Sequence, residues 1–123
     1  MVEQETLQKI VGYALDKKAI DIKVLDLTKV TTLTDYFIIC SAEADTQVKA
    51  IYEHIESELK NEGVRVWHKE GHQNLQWVLL DYVDFVVHIF MPEVREFYGL
   101  ERLWGDAREI KFNFKELNPV MSE

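Results

Sequence analysis

The chain is poor in the residues that staple a fold or carry it through a membrane. It has one cysteine, Cys40, and two prolines in 123 residues. A lone thiol closes no internal disulfide, and Cys40 sits in the apolar run Tyr36-Phe-Ile-Ile-Cys. An inert buried thiol in a reducing compartment is therefore expected. No apolar stretch reaches the ~20 residues that span a bilayer. The opening Met1-Val-Glu-Gln-Glu is acidic, unlike a signal or transit peptide. The expectation is a soluble, cytoplasmic protein that makes no membrane contact.

Positive charge and glycine are also scarce. Lys and Arg number 14 against 22 Asp and Glu, a net charge of −8. That field repels phosphate backbones, so direct non-specific nucleic-acid binding is not expected, whereas a basic protein is attracted. The five glycines form neither a G-x-x-x-x-G-K nor a G-x-G-x-x-G phosphate loop. The length suits one domain that buries roughly two thirds of its unfolded surface without a metal.

What is present is a clear alternation of helical and extended patterns. Leu7, Ile10, Val11, Ala14 and Leu15 form one apolar stripe, which predicts a helix over residues 3–18. Ile22-Lys-Val-Leu-Asp-Leu half alternates as a strand, and residues 36–40 are apolar throughout, as a central strand covered on both faces should be. The polar residues 28–35 connect them. Asp45 is read as the N-cap of a second helix carrying Val48, Ile51, Tyr52, Ile55 and Leu59 and closed by Gly63. Strands follow at residues 64–67, 77–80 and 85–90, with Gly71 as the pivot of a polar loop. Pro92 starts a helix that Gly99 ends, and residues 100–104 add another turn. The fold class expected is α/β: a single mixed five-stranded sheet with flanking helices. Residues 1–110 form the domain, and residues 111–123 form a flexible tail.

No reactive centre emerges. His68 and His72 are four apart, but on a strand end and in a loop rather than on one helix face, so no metal site is expected. Asp81 and Asp84 bracket a tight strand connection, where carboxylates bond nearby amides. Cys40 and His88 both lie in apolar strands, which favours a packed thiol and a satisfied imidazole over a catalytic pair. A nucleotidyltransferase needs a Gly-Ser turn and an Asp-x-Asp pair for its magnesium; Ser41-Ala-Glu-Ala-Asp-Thr has no glycine, and no Asp-x-Asp follows in the sheet. Neither catalysis nor a cofactor is expected.

The densest information lies between Trp77 and Ala107, where two tryptophans, three phenylalanines, two tyrosines, a histidine and two arginines gather. Such residues fill cores, and they also make binding hot spots. Val78, Leu80, Val86, Ile89 and Phe97 are assigned to the core. Strand alternation puts Trp77, Leu79, His88 and Phe90 together on the face opposite a purely aliphatic one, with Tyr98, Leu100 and Trp104 following nearby.

Gly71, Trp77-Val-Leu-Leu-Asp-Tyr, Val87-His-Ile-Phe and Arg95-Glu-Phe-Tyr-Gly-Leu-Glu-Arg-Leu-Trp-Gly-Asp-Ala match, in order and spacing, the signature of the ribosomal silencing factors, the Iojap family. Lys17-Lys-Ala-Ile-Asp-Ile and Thr34-Asp-Tyr-Phe-Ile-Ile-Cys-Ser extend this resemblance over residues 5–108, and it stops at Lys111. It implies a nucleotidyltransferase-like architecture without catalytic residues. It further implies a translational repressor, often a homodimer when free, that binds the fourteenth protein of the large ribosomal subunit and blocks small-subunit joining when nutrients are scarce. The contact residues implied are Trp77, Asp81, His88, Arg95, Tyr98, Leu100 and Trp104. The alternative is a divergent nucleotidyltransferase or nucleotide-binding protein.

Overall fold

In the computed structural model, which describes residues 2–113, two long helices seal one face of a mixed sheet and two short ones partly cover the other. In chain order the elements are α1 (Gln4–Asp16), β1 (Ile20–Asp26), β2 (Tyr36–Ser41), α2 (Asp45–Asn61), β3 (His68–Glu70), β4 (Trp77–Asp81), β5 (Phe85–Phe90), α3 (Pro92–Tyr98), α4 (Leu100–Leu103) and β6 (Arg108–Ile110). The strand order is β3-β4-β5-β2-β1-β6, and β2 with β5 is the parallel pair. That pairing needs a long crossover, which α2, β3 and β4 supply.

Among the described residues the sheet has six strands, not the five expected. The unforeseen β6 pairs antiparallel with β1, and Arg108 bonds Asp26 at 3.0 Å. Its three residues are too few to carry a pattern. The third strand is also displaced from 64–67 to His68–Glu70. The Val64 amide is committed to Leu59 O at 2.8 Å and the Gly63 amide to Lys60 O, the paired bonds of a Schellman end with Gly63 at φ +85°. Val64 and Val66 are then used to fill the core.

Asp45 is not the N-cap of α2; it is the first helical residue, and Ala44 caps without a side-chain bond. Gln47 explains the register. Its Oε1 accepts from the Glu43 amide at 2.9 Å, while its Nε2 donates to Lys17 O and Lys18 O, tying the start of α2 to the end of α1. Tyr13 and Lys9 of α1 both bond Glu62, and His54 meets Asp16 at 3.0 Å.

Alternation divides the strands as β geometry requires. Ile22, Val24, Ile38, Cys40, Val78, Leu80, Val87 and Ile89 pack beneath α1 and α2. Leu25, Phe37, Ile39, Val86 and Phe90 face the other way, with Trp77, Leu79, Leu100 and Trp104. Val86 is core as expected, on the aromatic face. Contrary to expectation, the helix side is not purely aliphatic, because Tyr82 and Phe85 stack there at 4.8 Å. Phe97 is not core: it is 79% exposed. Of the tail expected over 111–123, Phe112 packs against the helix-side core, and residues 114–123 lie outside the described residues.

Gly71 is held at φ +78°, and a Cβ there would sit 1.8 Å from the Trp77 carbonyl oxygen. Gly63, at φ +85°, has open space around it. Both carry the left-handed penalty, but only Gly71 adds a backbone clash. Gly63→Ala is expected to cost about 1 kcal/mol and Gly71→Ala clearly more, with loss of the Trp77 environment. Urea unfolding followed by tryptophan fluorescence checks both; equal costs would contradict the clash.

Candidate functional site

The aromatic face is built by β4 and β5 side by side and roofed by the chain that follows β5. Antiparallel pairing sets Trp77 opposite Phe90 and Leu79 opposite His88. The Trp77 ring stacks on Phe90 at 4.7 Å and lies 5.2 Å from Tyr98. His88 meets Phe37 edge-on at 4.6 Å, and Phe37 meets Trp104 at 5.7 Å. Trp77, His88, Phe37 and Trp104 thus form one continuous row, with Leu100 buried in the same cluster.

The seven residues predicted as contacts take different positions. Tyr98 is 54% exposed; Trp77, Asp81 and Trp104 are half-buried; His88 and Leu100 are buried. Asp81 Oδ1 accepts from the Val83 amide at 2.8 Å and holds the β4–β5 turn, where Val83 takes φ +73°. Arg95 does not join the aromatic row. Its Nε donates to Glu101 at 2.7 Å and its Nη1 to Ser41 Oγ at 2.9 Å, while Lys23 meets the other Glu101 oxygen at 3.3 Å. The bond from Arg95 holds the Glu101 carboxyl below the usual carboxylate range. This network fastens α3 and α4 to β1 and β2 and lines a polar cleft of about 630 Å³.

Exposed apolar residues border the row. Phe97 lies edge-on to Tyr98 at 5.1 Å, and Leu103 is 76% exposed. Phe37 and Leu33 were missed as site residues. Phe37 lies in a strand apolar throughout, where no period separates the faces, and Leu33 sits in a connection read as polar. Together with Thr34, Leu79, His88 and Trp104 they line an apolar cavity of about 210 Å³.

Burial dominates two ionisations. It pushes the Cys40 thiol up to about 12, against a smaller opposing effect of Arg95, so the thiol is inert at neutral pH. It pushes His88 down to about 3. Trp77 Nε1 donates to His88 Nδ1 at 3.0 Å, which a neutral imidazole accepts.

Comparison with known proteins agrees with the signature. The family described as "Ribosomal silencing factor during starvation" matches residues 2–122, past the Lys111 limit of the sequence resemblance. The Bacillus subtilis ribosomal silencing factor is 41% identical over 107 residues, covering 86% of this chain and 91% of that protein. The chloroplastic protein Iojap of Zea mays is 36% identical over 104 residues, covering 82% of this chain and 44% of that protein. A crystal structure of a Chromobacterium violaceum protein superposes with a TM-score of 0.82 at 37% identity, covering 91% of this chain and 92% of that one.

Because His88 is depressed in the fold, the unfolded chain binds the extra proton as pH falls below about 6.5, and stability drops with it. Between pH 6.5 and 5, above the carboxylate range, the loss due to this group is expected to approach about 1.4 kcal/mol per pH unit. Calorimetry across that window checks this: His88→Asn is expected to flatten the slope, and an unchanged slope would contradict it. The match over residues 2–122 and these relatives place the chain in the ribosomal silencing factor, or Iojap, family.

Proposed function

We propose that this chain represses translation by binding the large ribosomal subunit through its fourteenth protein and sterically blocking the small subunit, lowering translation under nutrient limitation. The observation that carries this reading is the aromatic row with its exposed border of Phe97, Tyr98 and Leu103, on a chain of net charge −8. A rigid aromatic patch is what a protein interface uses as an anchor, and the acidic field favours a basic ribosomal protein over RNA. Relatives are named silencing factors rather than enzymes, which supports a steric role without cofactor or metal. In this reading the chain acts in the cytoplasm, is a homodimer when free, and keeps a nucleotidyltransferase-like architecture without the chemistry.

Within this site the residues divide by task. Trp77, Tyr98 and Trp104 meet the partner; Asp81 and His88 shape the cavity beside them; Leu100 and Arg95 hold α3 and α4 in place. Tyr98 makes the cleanest test, because it is the most exposed of the seven residues and its loss opens no deep cavity. Tyr98→Ala is expected to keep a near-native thermal midpoint while weakening large-subunit binding by about thirtyfold, the scale of a 2 kcal/mol hot spot. Sedimentation with separated subunits, paired with a subunit-joining assay, reads both effects. Unchanged co-sedimentation would remove Tyr98 from the site, and wild-type protein that ignores the large subunit would sink the proposal. Raising salt should slow association and leave dissociation nearly unchanged.

A further inference from the structure

The 210 Å³ cavity beside the aromatic row holds an unresolved piece of chemistry. Its wall is mostly apolar, yet two of its residues carry buried polar atoms with no partner, His88 Nε2 and Thr34 Oγ1. Native interiors leave few such atoms, and each calls for a hydrogen-bonding group, a bound water or a partner.

The state of His88 follows from its neighbour. An indole N–H only donates, so Nδ1, 3.0 Å from Trp77 Nε1, must accept and carries no proton. The neutral ring, which burial favours, then carries its proton on Nε2. The orphan is therefore an N–H donor. A partner ammonium or guanidinium offers only donors and cannot satisfy it. A carboxylate can, but it would enter beside Asp81 in the wall of a chain with net charge −8. A neutral acceptor remains: water in the free protein, a partner group once the cavity is filled. A carboxamide is the fullest match, because its carbonyl accepts while its NH₂ donates to a hydroxyl or carboxylate.

We infer that this cavity receives a carboxamide side chain, Asn or Gln, from the protein partner, its carbonyl accepting from His88 Nε2–H and its NH₂ donating to Thr34 Oγ1 or Asp81. The volume, several times the roughly 30 Å³ share of one water, accommodates such a group. Nε2 is sealed from solvent, so the guest reaches it by displacing part of the wall. The identity of the partner rests on the function proposed above; the preference of the cavity does not.

The experiment has one arm free of the ribosome. Imidazole ¹⁵N NMR of the intact protein is expected to show His88 neutral with its proton on Nε2. Titrated propionamide should shift that Nε2–H resonance, whereas propylammonium and propionate should not. A proton on Nδ1, or no response to propionamide, overturns the inference. In the second arm, His88→Asn keeps an acceptor for Trp77 but removes the Nε2 donor, while His88→Gln keeps a donor at that end. Large-subunit affinity is expected to fall about tenfold in the first variant and distinctly less in the second. Equal affinity of His88→Asn and wild type overturns the inference. If the wild-type protein binds no large subunit, the proposed function fails and the propionamide arm alone decides the cavity.

Discussion

The parallel pairing of β2 with β5 is the constraint on which the rest of the molecule depends. Both strands are apolar almost throughout, and both occupy the middle of the sheet. A strand pair of that kind must be covered on both faces. The chain spends its two long helices, of 13 and 17 residues, on one face. Among the described residues, two helices of 7 and 4 residues and the 28–35 connection are left for the other. The aromatic row follows from this shortage: large rings cover more surface per residue than aliphatic side chains. A cavity and exposed rings remain where the cover runs out.

Short helices on a sheet need a fastener, and Arg95 is it. Its side chain is only 10% exposed and spans from Ser41 on β2 to Glu101 on α4. A buried guanidinium is tolerable only when its donors are matched, and the fork of Arg does this where a lysine would not. Gly99, at φ +58°, lets the chain fold back so that Arg95 and Glu101 meet. Positioning of Tyr98 thus depends on a polar cluster that itself lies outside the aromatic row.

How much of this was legible depended on whether a pattern had length enough to speak. The helical stripes of α1 and α2 and the alternation of β4 and β5 follow periods of 3.6 and 2, and they were read correctly. Three-residue strands have no period, so β6 went unseen and β3 was misplaced. Phe97 was assigned to the core because a phenylalanine normally is; its exposure follows from α3, which buries no residue fully and rests on the sheet through Val94 and Arg95. His88 was read correctly as a buried imidazole of an apolar strand but not as a satisfied one, because Nε2 has no partner, and its tautomer needed Trp77 Nε1 in place. The grouping of Arg95 with Trp77 came from the family resemblance, and the guanidinium turns toward Ser41 rather than into the aromatic row. Pairwise geometry between elements is the information a periodic pattern lacks.

The charge balance and the aromatic face are two halves of one design. A domain displaying Phe97, Tyr98 and Leu103 invites self-association through the same contacts that would serve a partner. A net charge of −8 on 123 residues opposes indiscriminate contact between like copies, since each carries the same field. The same field leaves attraction to a basic surface intact. In the proposed complex, non-directional burial would supply the adhesion, and long-range charge would decide which surface comes close enough to use it. On that proposal specificity needs few directional bonds, and the donor of His88, buried away from water, is where one such bond would count most.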